Sequence, residues 1–524
     1  MKTFLKSNFY SKPLTAILLM VAIILLTSCQ NGAKTAANEL DRKKTEEAAA
    51  IISGELAGEI TVSCYNTQLY EALLNDAKAS FEAKYPGTTI NIEAFAPLPV
   101  ITTMENDDGT TTEVMSSSND DIPDYVNRVT TDIMGGKGAD IYAMDELPYY
   151  KYAQSGSLED MRYFMEADPE FDTANYRTNI LEGARFRGGQ YMLPLDFHFS
   201  LMLFDKEKAG EEAAAKLRAK NEFTYWEMTD IVKERFAADE SGAKIMDILF
   251  MDDLTRIMFN DLMLLNMPNY VNREDNTVNF ADGKFAEFLT KFKEQADNNY
   301  FKSKLTEGEG NTIAGYENPN NQIGYYFKNM LSYEIKYIFL HDAMTAIGKP
   351  EIYSYFIKPN DEKLGVMVND NGQGAFEVYA SFAMNSNSAN KKLAWEFMKF
   401  LLGEEMQTSI RLLGIPVNKT AYERFAKQYI TEFPNIIMGE TENEYSADGF
   451  IEIEEDKEAL QGALAQYKQY MEEIIPKLTY SELRGDGTFS EMISEEAFAF
   501  FNGEKTAEEA AQELQNKIGL YLNE

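Results

Sequence analysis

Between Gly58 and Ala94 the sequence reads GEITVSC, then a stretch with Leu69, Leu73, Ala77, Phe81 and Tyr85 at helical spacing, then Pro86-Gly87 and TTINIEA. Ile60, Val62 and Cys64 alternate as a strand does, and Ile90, Ile92 and Ala94 repeat the pattern. Pro86-Gly87 punctuates the helix between them. A strand, a helix and a strand in about 35 residues make a βαβ unit, and that unit requires a parallel sheet. A third strand is expected at Ala139–Ala143, stopping at Met144-Asp145-Glu146 and followed by a cluster of tyrosines. The chain is therefore expected to be α/β.

The start of the chain says where that fold would work. Lys2, Lys6 and Lys12 precede an apolar run from Leu14 to Leu26, which ends in Leu26-Thr27-Ser28-Cys29. A basic start, a short apolar middle and a small-residue cleavage site make an export signal over residues 1–28. The run is shorter than the roughly 20 residues a membrane span needs. Without residues 1–28 the formal charge moves from −36 to −39, because three lysines and no acids are lost. Such acidity argues against nucleic acid or an anionic membrane surface as partner. Beyond Cys29 there is one cysteine, Cys64, so no internal disulfide can form and burial alone must hold the fold. Residues 29–57, rich in Ala, Glu and Lys, read as a tether, helical in part.

Further along, residues 106–124 are polar and read as a loop whose acids lack calcium-loop spacing. Helical patterning dominates from about residue 205 to 340. Apolar runs follow at Ala343–Ile347 and Ala375–Met384, then a helix from Ser388 with Leu393, Phe397 and Leu401 in phase. Thr506-Ala507-Glu508-Glu509 is a capping box opening a last helix with Ala511, Leu514, Ile518 and Tyr521 on its apolar face. Trp226 and Trp395 both read as core residues.

Several stretches taken in order resemble one family. GEITVSCYN with KYPGTTINIEAF, GADIYAMDELPYYKYAQSGSLEDM, GGQYMLPLDFHFSLMLFDKE, DAMTAIG, NSNSANKKLAWEFMKFLL, LLGIPVNKTAYERF and FFNGEKTAEEAAQELQ are similar to segments of the extracellular solute-binding proteins of bacterial ABC importers. The likeness is to the carbohydrate-type group that contains maltose-binding protein. It implies a two-lobed periplasmic-binding-protein-like fold of type II, each lobe a mostly parallel sheet flanked by helices, with three hinge crossings. Lobe one would hold residues 58–195 and 378–430, and lobe two 200–374 and 435–524. Crossings would lie near Leu195–Phe199, Phe376–Tyr379 and Thr431–Pro434. Leu26-Thr27-Ser28-Cys29 resembles a lipoprotein signal, which makes Cys29 the lipid attachment point of a cell-surface protein on the extracellular face of the membrane.

In such a fold, ligands bind outside the carboxyl ends of strands. Carboxylates accept hydrogen bonds from sugar hydroxyls, and aromatic faces cover the apolar face of a pyranose. The resemblance implies ligand contacts at Tyr65, Asn66, Met144, Asp145, Glu146, Asp196, His198, Asp252, Asp253, Lys349, Tyr353, Gln373, Phe376 and Phe489. Met144 stands where that group places a stacking ring, so maltodextrin itself is not implied. The expected role is capture of a carbohydrate and its delivery to a membrane permease, by a monomer with no cofactor, metal or catalytic residue. A peptide or polyamine cargo, or a sensor role, would suit the same fold. A polysaccharide-acting enzyme would need two carboxylates flanking a cleft, and no spacing among the acids marks such a pair. With His198 and His341 the only imidazoles, and no Gly-x-Ser-x-Gly, His-Glu-x-x-His or phosphate-loop motif, hydrolase, zinc-protease and ATPase readings fail.

Overall fold

Alternation in β1 (Gly58–Cys64) places Ile60, Val62 and Cys64 on one face, none more than 1% exposed, while Thr61 and Ser63 face the other side. The computed structural model describes residues 38–65, 68–95, 100–105, 111–116, 121–144, 146–205, 212, 215, 222–236, 245–247, 254–298, 301–302, 339–344, 362–409, 412, 414–427, 465, 468–481 and 487–523. Helix α2 (Gln68–Lys84) follows β1 and ends before Gly87, whose φ of +96° suits a residue without a side chain. The chain then returns as β2 (Thr88–Ala94), parallel to β1 with Gly58 opposite Thr88 and Cys64 opposite Ala94. The expected βαβ unit is present.

Strands β3 (Val100–Glu105) and β4 (Thr111–Ser116) pair as an antiparallel hairpin, and α3 (Ile122–Met134) then crosses the sheet to β5 (Ile141–Ala143), parallel to β1. The first sheet is completed by β6 (Leu193–Pro194) and by β17 (Ser381–Met384), giving the order β2-β1-β5-β17-β6. A second sheet has the order β13-β10-β14-β8-β15-β9, from Phe301–Lys302, Ile245–Asp247, Phe339–Met344, Phe199–Asp205, Glu362–Val368 and Glu222–Thr224. Each sheet is mostly parallel and holds one reversed strand: β17 in the first, β8 in the second.

Each sheet has its own core. Helix Lys391–Leu401 covers the first, with Trp395 and Phe397 fully buried and the Phe397 ring 5.3 Å from Phe81. Around the second lie helices Leu254–Tyr270, Lys284–Asp297, Gly487–Phe501 and Ala507–Tyr521, packed through Phe259, Phe292 and Phe501 with ring centroids 5.5–5.6 Å apart. The Thr506–Glu509 capping box forms with both of its hydrogen bonds. Cys64 is buried in the first core. Trp226 is half-buried against the second core with the Lys291 ammonium 5.1 Å from its ring, so it is less interior than its sequence position suggests.

Three further expectations change. The polar stretch 106–124 is not all loop, because β4 and the first turn of α3 lie within it; threonines and Val114 supply the β propensity. The later helix is capped by Asn390, which accepts from the Leu393 amide at 3.3 Å, and not by Ser388. Residues 38–52 are not a free spacer. They form a helix, α1, whose Ala48 is 2% exposed and whose Ile51 and Ile52 pack on the first core. Tyr163 donates its phenol proton to Asp41 at 2.6 Å, Arg162 reaches the same carboxylate at 3.4 Å, and Thr45 bonds Glu166 at 3.2 Å.

Two measurements check this packing. Tyr163→Phe deletes the bond to Asp41, which should cost about 1 kcal/mol and speed amide exchange across 38–52; unchanged exchange would mean α1 is held otherwise. The Asp168 carboxylate is pushed up by burial, but Lys399 at 2.8 Å and the Trp395 indole N–H at 2.8 Å outweigh this and hold it below its ordinary 3.8. A depressed acid stabilises the fold above its unfolded value and loses that contribution as pH falls through the folded one. Asp168→Asn should therefore flatten the acid limb of unfolding below about pH 4, read by tryptophan fluorescence.

Candidate functional site

Two described segments join the sheets, and they run side by side. One follows β6 through β7 (Asp196–Phe197) into β8; the other leads from β16 (Gly374–Phe376) to β17. Leu195 N–H donates to Ala380 O at 2.7 Å, and His198 and Glu377 exchange both backbone bonds at 2.9 Å. A third segment lies against them: β18 (Ile415–Pro416) pairs with β7, and Val417 N–H donates to Leu195 O at 3.1 Å. The crossing expected at Thr431–Pro434 lies outside the described residues.

The Asp196 carboxylate ties the three together. It is 1% exposed, and its two oxygens accept from the amides of Ala380 at 2.8 Å and Gly414 at 2.9 Å. Burial pushes this carboxyl above its ordinary range; the two amides and nearby His198 pull the other way without cancelling it. Gly414 admits no side chain there, since a Cβ would lie 2.9 Å from Asp196 Cγ and from Phe197 O. Phe376, fully buried, meets the Phe197 ring edge-on at 6.1 Å and leaves no space for a Cβ on Gly183. Asp196 and Phe376, expected to touch ligand, hold the crossing together: each oxygen of the one accepts a backbone amide, and the other is fully buried.

Register fixes which strand ends face this region. In the first sheet Ala143, the last residue of β5, pairs with Phe382 near the start of β17, and Met144 N–H donates to Ser381 O at 3.0 Å. In the second, Met344 at the end of β14 pairs with Phe199 at the start of β8. Both reversed strands begin where the chain has just crossed. The carboxyl ends of the parallel strands in both sheets therefore lie level with the crossings, where α/β sheets bind ligands.

The candidate side chains distribute unevenly around that region. His198 lies face to face with Tyr379, centroids 3.9 Å apart and planes 16° apart, with Nε2 3.5 Å from Glu377 Oε1. Glu146 is half-buried beyond β5, and Met144 is 2% exposed. Tyr65, after β1, is 4% exposed beneath Phe95 and Tyr125 at 6.4 and 5.7 Å. Gln373 donates from its backbone to Asn369 Oδ1 at 3.1 Å in the turn before β16. Asn66, Asp145, Asp252, Asp253, Lys349, Tyr353 and Cys29 lie outside the described residues, and Phe489 is described only as backbone of helix Gly487–Phe501. Among the described residues no group of three His, Cys, Asp or Glu could hold a metal ion, and no helix is long and apolar enough to cross a membrane.

The tyrosines after β5 divide between two roles. In α4 (Tyr149–Gln154), Tyr149 and Tyr152 are core residues bonded to Ala184 O and Thr130 Oγ1 at 3.2 and 2.6 Å. Tyr150 carries the Arg273 guanidinium 3.8 Å from its ring, and Lys151 lies 4.2 Å from the Tyr521 ring. Arg187 N–H donates to Glu274 at 3.0 Å. These contacts join the first core to the β11–β12 hairpin (Val271–Asn272, Thr277–Val278) and the last helix of the second. Neither Tyr379 nor the Tyr150–Arg273 pair was reachable from sequence, because both partners come from distant segments.

Asp196→Asn should unfold more easily by about 1–3 kcal/mol, since one amide then faces an NH₂ group instead of an oxygen. Gly414→Ala should do likewise by overpacking. Denaturant melts check both, and wild-type midpoints would remove Asp196 as the tie.

Residues 102–435 match the sequence model of the bacterial extracellular solute-binding protein family. No curated protein matches the chain in sequence. The sugar-binding protein MalE from Xanthomonas citri is similar in structure, with a TM-score of 0.52 at 13% identity over 89% of this chain and 98% of that one. A periplasmic oligogalacturonide binding protein from Yersinia enterocolitica gives 0.50 at 15% over 89% and 99%. A de novo designed esterase improved by directed evolution also gives 0.50, at 14% over 89% and 99%. At such identities the likeness speaks for the fold alone, which is the two-sheet type II fold of periplasmic solute-binding proteins. The match of the family model over most of the chain decides the rest: this chain belongs to the bacterial extracellular solute-binding proteins.

Proposed function

We propose that the protein captures a carbohydrate between two lobes and hands it unaltered to an ABC permease. Lobe one comprises residues 58–195 and 378–430, and lobe two 200–374 and 435–524. Residues 1–28 are an export signal, and Cys29 carries the lipid that keeps the protein on the extracellular face of the membrane as a monomer. The observation that carries this reading is the convergence of strand ends: in both sheets the parallel strands finish level with the crossings pinned at Asp196.

The physical logic follows from that layout. A solute held at strand ends of both lobes makes its full set of contacts only when the lobes close, so binding shifts the open–closed equilibrium. Asp145 and Glu146 follow β5, and carboxylates there accept hydrogen bonds from hydroxyls without doing chemistry. Tyr379, half-buried and stacked on the buried His198, stands at the crossing beside the proposed cleft. The sugar-binding protein MalE and the oligogalacturonide binding protein make a saccharide the cargo of choice. Asn66, Asp252, Asp253, Lys349, Tyr353, Gln373 and Phe489 complete the proposed contacts.

A thermal-shift screen over mono- and oligosaccharides, peptides and polyamines tests the reading. A saccharide present at 100 times its Kd should stabilise the protein by about 2.7 kcal/mol. Asp145→Ala should abolish that gain while leaving the unliganded melting temperature unchanged. Release of shortened sugar products, or stabilisation only by a peptide or polyamine, would contradict it.

A further inference from the structure

Helix α1, over residues 38–52, attaches to lobe one at the end that faces away from the crossings. The chain leaves it through Ala57 into Gly58, the first residue of β1, and the Asn390 side-chain amide donates to Ala57 O at 2.9 Å. Toward its other end, Asp41 and Thr45 meet Tyr163 and Glu166 of α5 (Arg162–Ala167). The segment entering α5 is fixed at the start of β5. There Glu159 N–H donates to Met384 O at 2.9 Å, and Met384 pairs with Ile141, the first residue of that strand. Both attachments of α1 therefore lie beside the amino ends of parallel strands, opposite to the carboxyl ends that meet the crossings.

The helix is seated along its length. Ala48 is 2% exposed, Ile51, Ile52 and Leu56 pack on the first core, and the Lys44 ammonium lies 5.2 Å from the Tyr163 ring. Its exposed side is close to neutral. Arg42 and Lys43 pair with Glu46 and Glu47 at 2.6 and 3.7 Å, so this patch lacks the strong negative charge expected of a chain at −36.

Chain length turns that seat into an orientation. Given the lipid on Cys29 proposed above, eight residues, 30–37, separate the anchor from α1. Fully extended, that leash reaches about 30 Å. A body of this chain length has a radius of gyration of about 23 Å and is roughly 60 Å across. With α1 unseated, the leash would run to Gly58 and reach about 100 Å, and either lobe could turn to the membrane. With α1 seated, the leash is too short to carry lobe one over lobe two. We propose that α1 is a mooring: it holds lobe one, by the face that carries α5, toward the lipid bilayer and leaves lobe two the farther lobe.

Resonance energy transfer on the full-length lipidated chain tests this, with the protein anchored in phosphatidylcholine vesicles that carry rhodamine-labelled headgroups. The donor sits on Glu170→Cys, four residues past the acid that Thr45 bonds, or on Asp297→Cys, just before β13 at the far end of lobe two. Both side chains are exposed, and Cys64 is fully buried and does not compete for label. Transfer should be at least about twofold stronger from position 170 than from 297, given a leash of about 30 Å on a body roughly 60 Å across. A long Gly/Ser insert after Ala33, which lengthens the leash and leaves α1 seated, should abolish the difference. Ala48→Glu, which drives a charge into the seat, should do the same. A chain that does not partition into the vesicles removes the lipid anchor and the mooring with it. Equal transfer from the two positions in the anchored chain, stronger transfer from 297, or a difference that survives either variant overturns the mooring alone.

Discussion

Two backbone amides donating to one buried carboxylate hold this architecture together. Asp196 accepts from Ala380 and Gly414, residues 184 and 218 positions away, and so fastens three separate passes of the chain at one point. A buried carboxylate is tolerated only when its oxygens are satisfied, and these are. Because the passes are tied, β8 and β17 each start at the same level, and their parallel neighbours must end there. The place where strand ends gather is thus a consequence of chain connectivity fastened by hydrogen bonds.

The buried apolar residues of the described chain form two clusters. The first is built around Ile60, Val62 and Trp395; the second around Phe259, Phe292 and Leu514. The contacts from Tyr150 to Arg273 and from Arg187 to Glu274 that join them elsewhere are polar or cation–π in kind. Such contacts are individually weak in water.

Much of the fold was legible because local signals agreed with global ones. The alternation of Ile60, Val62 and Cys64, the stop at Pro86-Gly87 and the Thr506–Glu509 capping box each specify their own element without help from distant residues. The reversed strands, the role of Asp196 and the packing of Phe376 were not legible, since each depends on partners far away in sequence. Residues 38–52 misled for a related reason. Their Ala, Glu and Lys content suits a tether, but the spacing of Asp41, Thr45, Ala48 and Ile52 places one face toward Tyr163, and composition carries no spacing. At the candidate site, the burial of Asp196 and Phe376 carried no local signal in the sequence.

The central claim is that two hinged bodies close on an unreacted guest. Small-angle scattering of the full chain, free and saturated with a stabilising oligosaccharide, tests it most directly when the sugar is recovered afterwards by mass spectrometry. The account predicts a smaller radius of gyration with sugar bound and recovery of the sugar intact. An unchanged radius, or a sugar returned cleaved, would contradict it.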